Sequence, residues 1–291
     1  MNYLVQIQKS IDYIEAHLDS ELSLVKIAQH AGISQWHFQR IFKALSNETL
    51  KTYIRSRRLS NALEQLLSTD NKIIDIALTA GFESQQSFTR AFKNTFDMTP
   101  NQARKIGNKN IFQKKIEFNS EYLQHINNNV SLVPEIYTQP KIQCVGLRTQ
   151  FYSVDSEKNN LADKLPALWD EFIPRMSEIE NRNPDIAYGV IQQTKDKTDL
   201  LEYYAVCEVN EVDRSALPQG MEVIEIAESS YAKFTHKGNV KNINDTVNYI
   251  YSSWLMQSNK KHSYAADLEI YGDDYREDSD ESIIHYAIPI E

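Results

Sequence analysis

The chain contains 291 residues, of which 41% are hydrophobic and 24% are charged. This balance is typical of folded globular proteins, and it excludes collagen-like, low-complexity and wholly disordered chains. Residues 1–115 contain 16 Lys and Arg against 10 Asp and Glu, whereas the remaining residues carry a net charge of −15. Length and charge asymmetry therefore predict two domains. The basic domain is suited to binding a polyanion, and the acidic domain would repel a polyanion.

The sequence gives no support for secretion, a membrane or a disulfide framework. The N-terminal segment mixes polar with apolar residues, unlike a signal peptide, and no run of about 18 apolar residues is present. Cys144 and Cys207 are the two cysteines, and they lie in strand-like runs without the C-x-x-C spacing of a zinc site. We therefore expect a cytoplasmic protein with no membrane partner.

The first hundred residues contain an internal repeat. LVKIAQHAGI at 24–33 recurs as IIDIALTAGF at 73–82, and SQWHFQRIFK at 34–43 recurs as SQQSFTRAFK at 84–93. Each copy has an alanine and a glycine four residues apart, suited to a close helix crossing and to a turn with positive φ. Ser23 and Ser34 are predicted helix caps. A longer helix is predicted from about Thr49 to Leu67, so the pattern indicates an all-α domain with two helix-turn-helix units.

The second helix of each unit is predicted to bury an apolar stripe and to expose a polar face. Helical spacing places inside Phe38, Ile41 and Phe42 of the first unit, and Phe88, Ala91 and Phe92 of the second. The expected outward residues are Gln35, Trp36, Gln39 and Arg40, and then Gln85, Gln86, Thr89 and Arg90. Because Arg and Gln form bidentate hydrogen bonds with guanine and adenine, these eight residues are the candidate DNA-binding residues.

These motifs resemble the two-unit DNA-binding domain of the AraC/XylS family, and within it the Mar/Sox/Rob group. The resemblance rests on GISQWHFQRIFK, YIRSRRL, GFESQQSFTRAFK and FDMTPNQARK, and covers about residues 4–107. It implies that the two outward sets enter adjacent major grooves about 34 Å apart, and that the protein activates transcription through RNA polymerase. Asp97 stands where the family often has glycine, so we expect it to adopt positive φ at some cost.

The arginines of YIRSRRL have two interpretations. In the first, Arg55 pairs with an acidic neighbour, and in the second, one of Arg55, Arg57 and Arg58 contacts a DNA phosphate. The sequence favours neither.

The hydrophobic pattern changes after residue 131. The polar segment 108–131 is a predicted linker, which assigns 1–107 to the DNA-binding domain and 132–291 to a second domain. From Val133 the pattern predicts the element order β-α-β-β, given twice. Two such units can pair their sheets and leave a groove between the helices and the sheet, so we expect an α+β domain.

This β-α-β-β repeat, with YAKFTHKG before a helix and DLEIYG after it, resembles the GyrI-like effector-binding domain of drug-sensing regulators. The resemblance covers about residues 132–291 and implies an acidic pocket residue, which falls on Glu269. A carboxylate in an aromatic groove favours a lipophilic cation, although this domain group also binds uncharged amphiphiles. The candidate effector-binding residues are Glu269, Tyr271, Trp254, Trp169, Tyr203 and Tyr231.

Two other functions of the second domain stay open. It would be a hydrolase-like enzyme if Glu269 served as a base, but the sequence offers no matched acid, nucleophile or orienting partner. It would be a protein-contact module if it bound no small molecule. The seven histidines show no H-x-x-x-H or H-E-x-x-H spacing, and no phosphate-binding loop motif is present. We therefore predict no metal site, no catalytic residue and no cofactor.

Overall fold

The computed structural model describes residues 3–46, 48–106, 131, 133–196 and 198–291. The described residues belong to two compact units, a helical one up to residue 106 and an α+β one from residue 131 onward. Apart from Ser131, the predicted linker 108–131 lies outside the described residues. Among the helices described, none combines the length and apolar content needed to cross a membrane.

The N-terminal unit is built from helices in the predicted order. They are α1 (Tyr3–Ala16), α2 (Leu24–Ala31), α3 (Gln35–Ser46), α4 (Leu50–Ser68), α5 (Ile73–Thr79), α6 (Gln85–Phe96) and α7 (Pro100–Ile106). Helices α2 and α3 form one helix-turn-helix unit, α5 and α6 form the other, and α4 lies between them. Thr49 caps α4, because its hydroxyl accepts a hydrogen bond of 3.1 Å from the backbone N–H of Thr52.

The turns follow the chemistry expected from the sequence, with one exception. Gly32 and Gly81 adopt φ values of 69° and 79°, so the predicted positive φ is confirmed. The hydroxyls of Ser34 and Ser84 accept hydrogen bonds from backbone N–H groups in the first turns of α3 and α6. The predicted cap at Ser23 is wrong, since its side chain makes no cap hydrogen bond with α2.

The apolar stripes of α3 and α6 pack inward as predicted, although Ala91 is only partly buried. Phe38, Ile41 and Phe42 are fully buried in the first unit. In the second unit, Phe88 and Phe92 are fully buried in a cluster that also contains residues of α4, α5 and α7. Burying a phenylalanine side chain contributes about 1.5–3 kcal/mol, so these rings fix the orientation of both helices.

The C-terminal unit is one antiparallel sheet with helices. Its strands are β1 (Glu135–Gln139), β2 (Ile142–Tyr152), β3 (Arg182–Gln193), β4 (Leu200–Val209), β5 (Glu222–Ile226), β6 (Ser229–Lys237), β7 (Asp267–Tyr271) and β8 (Ile283–Ile290). The strand order is β1-β6-β8-β7-β3-β4-β2-β5. Helix α8 (Leu161–Arg175) follows β2, and α9 (Ile243–Tyr249), a π-helical turn (Ile250–Trp254) and α10 (Leu255–Gln257) follow β6.

Each repeat contains one more strand than the predicted β-α-β-β order. The additional strands are short edge strands, β1 and β5, and each pairs with the other repeat: β1 with β6, and β5 with β2. The five-residue β1 lies between Pro134 and Pro140 and is mostly exposed, so it lacks the apolar alternation by which a strand is recognised. The pairing of β3 with β7 joins the two repeats at the centre of one sheet, and the exchanged strands β1 and β5 form its two edges.

The helices of both repeats lie over the same face of this sheet. Trp169 of α8 donates a hydrogen bond to Tyr203 of β4, and Trp254 of the π-helical turn packs on Phe234 of β6. Strand register places Tyr203 and Phe234 on the face that also carries Glu269 of β7. The centre of this face, between the two helical segments, is where the acidic candidate lies.

Candidate functional site

Helix α6 presents its predicted DNA-binding residues to solvent. Gln85, Gln86 and Arg90 are exposed and Thr89 is partly exposed, while Phe88 on the opposite side is buried. Side chains exposed on one face of a helix and free to extend are the groups that contact base edges in a major groove. This helix therefore has the geometry of a recognition helix.

Helix α3 differs from the expectation, because its outward set is buried. The exposed fraction is 9% for Gln35, 2% for Trp36, 4% for Gln39 and 7% for Arg40. Part of the cover comes from the helix itself: Gln35 donates a hydrogen bond to Gln39, and the guanidinium of Arg40 lies 5.4 Å from the centre of the Trp36 ring. Residues four apart share a helix face, so the large indole and its neighbours shield one another. The expected exposure of these four residues is thus corrected.

The structure assigns different contacts to the three arginines of α4. Nε and Nη2 of Arg57 donate to the two carboxylate oxygens of Glu15 at 2.9 Å each, so Arg57 and not Arg55 has the acidic partner. Arg58 donates to the backbone oxygens of Leu18 and Ser20. Arg55 is exposed and forms no ion pair with any residue that the structure describes.

Glu269 lies at the centre of the covered face of the sheet, and its side chain is buried. The residue is 7% exposed, and its backbone is paired with Gly189 of β3. The hydroxyl of Tyr203 donates to Oε2 of Glu269 at 2.6 Å, and the hydroxyl of Tyr271 donates to the same oxygen at 2.9 Å. The carboxylate is therefore fixed by two donors that come from different strands.

Trp169 and Gly189 complete this arrangement, which we call the Glu269 group (Glu269, Tyr203, Tyr271, Trp169 and Gly189). The indole N–H of Trp169 donates to the Tyr203 hydroxyl at 2.9 Å, and its ring meets the Tyr271 ring edge to face at 5.0 Å. A methyl group built at Gly189 would lie 2.1 Å from the Tyr203 hydroxyl and 2.7 Å from Oε2 of Glu269. Only glycine leaves room for these side chains above β3.

Two phenols of the group donate hydrogen bonds to the carboxyl group of Glu269. Burial, together with the charge of Glu269, raises the pKa of Tyr203 well above its usual value, and the same causes raise the pKa of Tyr271. Both phenols stay protonated at neutral pH and keep donating to Glu269. A negative charge beside partly exposed aromatic rings is suited to a cation with apolar substituents.

Two of the predicted effector-binding residues lie elsewhere. Tyr231 shares a face with Leu268, opposite to Glu269, and its hydroxyl donates to the backbone oxygen of Ala266. Because neighbouring strand residues point to opposite faces, its register excludes it from the Glu269 group. Trp254 lies over the side of the sheet that carries Glu269, but its ring packs in a T-shaped contact on the ring of Phe234. Tyr231 is therefore corrected to a core residue, and Trp254 lies to the side.

A second buried carboxylate, Asp267, is not among the residues predicted from the sequence. It accepts hydrogen bonds of 2.8 Å from the hydroxyls of Tyr251 and Tyr286, and its Oδ1 lies 2.8 Å from Nε2 of His262. Nδ1 of His262 accepts from the backbone N–H of Tyr264, so Nε2 carries the hydrogen that Asp267 receives. The signal was the two-residue spacing in DLEIY, which places Asp267 on the same face as Glu269.

The described residues contain no group of three or more His, Cys, Asp or Glu side chains placed to hold a metal ion. Cys144 and Cys207 are both free thiols and both buried. Burial raises the pKa of Cys144 to about 12 and that of Cys207 to about 11, so neither is a thiolate at neutral pH.

Each of the two units matches a known protein family. The model of the helix-turn-helix domain family matches residues 27–106, and that of the GyrI-like small molecule binding domain matches residues 133–291. The chain is 28% identical to the transcriptional regulator Rob of Salmonella typhimurium over 266 residues, 89% of this chain and 87% of that protein. It is 40% identical to the regulatory protein SoxS of the same organism over 104 residues, 36% of this chain and 97% of that protein.

A solved structure, that of SAV2435 bound to tetraphenylphosphonium, is similar with a TM-score of 0.46 and 15% identity, over 55% of this chain and 94% of that one. Both sequence relatives above are regulators, which argues against the hydrolase-like alternative. The chain therefore belongs to the GyrI-like small molecule binding family, and with its AraC-type double helix-turn-helix unit it is a DNA-binding transcription regulator with the domain composition of Rob.

Proposed function

We propose that the protein binds an asymmetric DNA site through α3 and α6 and that a small amphiphilic or cationic effector binds at the Glu269 group. The DNA part is carried by the exposed polar face of α6. Arg90 and Gln86 can form bidentate hydrogen bonds with guanine and adenine, and Thr89 can contact a thymine methyl group. Buried Phe88 and Phe92 hold this face in a fixed orientation.

DNA binding through α3 requires that its polar face become exposed. Gln35, Trp36, Gln39 and Arg40 would enter the adjacent major groove, and side chains less than a tenth exposed do not contact base edges. The face of α3 that carries them must therefore be uncovered in the DNA complex. Exposing this face costs free energy, so the state of the protein that can bind DNA is only partly populated. The apparent affinity for DNA is reduced by that fraction.

The effector proposal is supported by the buried carboxylate of Glu269 beside Trp169 and Tyr271. A lipophilic cation placed there would gain a charge-assisted contact with Glu269 and contacts with the two aromatic rings. The chain's likeness to AraC/XylS regulators supports a third element of the proposal, activation through contact with RNA polymerase.

The DNA part is tested by selecting binding duplexes from a random-sequence pool with the full chain. The selected DNA site should contain two boxes, one contacted by α3 and one by α6. Arg40→Ala and Arg90→Ala should each weaken binding to the selected duplex by about tenfold or more, and each should relax the sequence preference in a different box. Arg175→Ala, in the other unit, is the matched control and should bind as the wild type does. If Arg40→Ala and Arg90→Ala both retain wild-type affinity, the assignment of the recognition residues is wrong. Transcription in vitro from a promoter carrying the selected site tests activation.

The effector part is tested by calorimetry with tetraphenylphosphonium and with neutral triphenylphosphine oxide. Glu269→Gln should weaken binding of the cation by about 30-fold or more and leave binding of the neutral compound nearly unchanged. Tyr231→Phe, on the opposite face, is the matched control. A ligand at 100 times its Kd should add about 2.7 kcal/mol to the stability of the folded state. If these compounds, bile-acid-like amphiphiles and fatty acids produce no thermal shift, a protein-contact role replaces the proposal.

A further inference from the structure

Arg58 of α4 is bonded to the connection between α1 and α2. Its Nε donates to the backbone oxygen of Leu18 at 2.9 Å, and its Nη2 donates to the backbone oxygen of Ser20 at 2.6 Å. These oxygens follow the end of α1, where backbone carbonyls lack partners within the helix and carry partial negative charge. The guanidinium therefore joins α4 to the segment that precedes the first helix-turn-helix unit.

The same guanidinium also lies against the turn of the second unit. A methyl group built at Gly81 would lie 2.6 Å from Nη1 and 3.2 Å from Cζ of Arg58. Gly81 has a φ of 79° and ends the turn after α5, three residues before the Ser84 cap of α6. One side chain in the middle of α4 thus contacts the segment before the first helix-turn-helix unit and the turn of the second unit.

A second arginine repeats half of this arrangement. Arg104 of α7 donates through Nε to the backbone oxygen of Leu66 at 3.1 Å and through Nη2 to that of Asn71 at 2.7 Å. These oxygens belong to the end of α4 and to the α4–α5 connection. In both places an arginine from the helix that follows a helix-turn-helix unit is bonded to the end of the helix that precedes that unit. Arg104 bonds to the segment before α5, whereas Arg58 also lies against the turn of the second unit.

We propose that Arg58 is a positioning residue that fixes the spacing and relative rotation of α3 and α6. It does so without touching DNA, by holding the segment before α2 and the turn before α6 on one guanidinium. This inference rests on the proposed docking in two adjacent grooves. Inserting one base pair rotates one box relative to the other by about 34° and moves it by about 3.4 Å. A rigid pair of recognition helices tolerates such an insertion poorly, and a loosely coupled pair tolerates it better.

The experiment compares the selected duplex with a copy that has one base pair inserted between its two boxes. The wild-type chain should bind the inserted duplex at least about 30-fold more weakly. Arg58→Ala should bind the original duplex about tenfold more weakly than the wild type and lose most of the penalty for insertion, to about threefold. Arg104→Ala is the matched control, because it loses the same kind of carbonyl contacts and should keep the wild-type penalty. Helical circular dichroism and melting temperatures of all variants separate this effect from unfolding.

Arg58→Lys provides a second variant if Arg58→Ala does not fold. Lysine keeps the charge and can donate to one carbonyl, but it lacks the branched group that also lies on Gly81, so the insertion penalty should fall to an intermediate value. A wild-type chain indifferent to the insertion would overturn the two-groove docking itself. A wild-type penalty that persists in full in the folded Arg58 variants, or an equal loss in Arg104→Ala, would overturn the role of Arg58 alone.

Discussion

The Tyr203 hydroxyl bonds to Glu269 at 2.6 Å although the two residues are not on neighbouring strands. Tyr203 belongs to β4 and Glu269 to β7, and β3 lies between them. The bond passes over Gly189 of β3, where a side chain would occupy the space of the phenol. The Glu269 group thus depends on a residue without a side chain at the junction of the two sheet repeats.

Gly189→Ala should therefore disrupt the Glu269 group more than an alanine substitution at a distant position does. The added methyl would lie 2.1 Å from the Tyr203 hydroxyl, so the ring must move, at a cost of about 1–3 kcal/mol for overpacking. We expect a lower melting temperature and a loss of about tenfold or more in tetraphenylphosphonium affinity. Gly272→Ala, where a methyl group meets nothing within 4 Å, is the control and should change stability by less than about 0.5 kcal/mol. Unchanged ligand affinity in Gly189→Ala would contradict the role of this glycine.

The sequence predicted those parts of the fold that follow from local pattern. The alanine of α2 and of α5 with the glycine that follows each helix, the positive φ of Asp97, and the buried Phe88 and Phe92 all depend on residues a few positions apart. The C-terminal helices and the longer strands were predictable for the same reason. Strand β1 was not, because a five-residue edge strand gains its partners from a distant repeat.

The candidate site was predictable only in part. Glu269, Tyr271, Tyr203 and Trp169 are brought together, but whether a strand residue points to one face or the other depends on register. Tyr231 was misplaced for that reason, and Gly189 carries no chemical signal in the sequence. The burial of Trp36 and Arg40 was also unpredictable, since helical periodicity indicates which residues share a face but not what covers that face.

Two arginines of α4 should respond differently to replacement by alanine. Arg57→Ala leaves the Glu15 carboxylate, 17% exposed, without two charged donors, so we expect a loss of about 2 kcal/mol in the free energy of unfolding. Arg55→Ala should change stability by less than about 0.5 kcal/mol, because Arg55 is exposed. If Arg55 contacts a DNA phosphate, its loss reduces the slope of log affinity against log salt by about 1. Urea unfolding and DNA titrations at several salt concentrations check both, and equal stability losses would contradict the assignment.

Alkaline pH should destabilise the C-terminal unit. Burial raises the pKa of Cys207 to about 11 and those of Cys144 and Tyr137 to about 12, so these groups hold their protons more tightly when folded. Their contribution to stability is present in full below about pH 9 and is lost as the pH rises toward 12, because the unfolded chain ionises first. We expect melting temperatures to fall from about pH 9 upward, and both thiols to resist a disulfide reagent at pH 8 until urea is added. Rapid thiol labelling of the native chain would contradict the burial.

The C-terminal end of α6 offers a test that separates backbone strain from charge. Asp97 adopts φ 54° and ψ 22°, and its backbone N–H donates to the oxygen of Lys93. An L-residue pays a steric cost in this left-handed region, which Asp and Asn bear better than most, and a negative charge here opposes the helix dipole.

Asp97→Asn should remove only the charge effect and stabilise the N-terminal unit by about 0.3–1 kcal/mol. Asp97→Gly also relieves the backbone, but the greater freedom of glycine in the unfolded chain offsets part of that gain, so we expect about 0.5–1.5 kcal/mol in total. Asp97→Ala lacks a side chain that tolerates this conformation and should be the least stable of the three. Urea unfolding followed by helical circular dichroism measures the order. If alanine proved as stable as glycine, the left-handed conformation of residue 97 would have no energetic consequence.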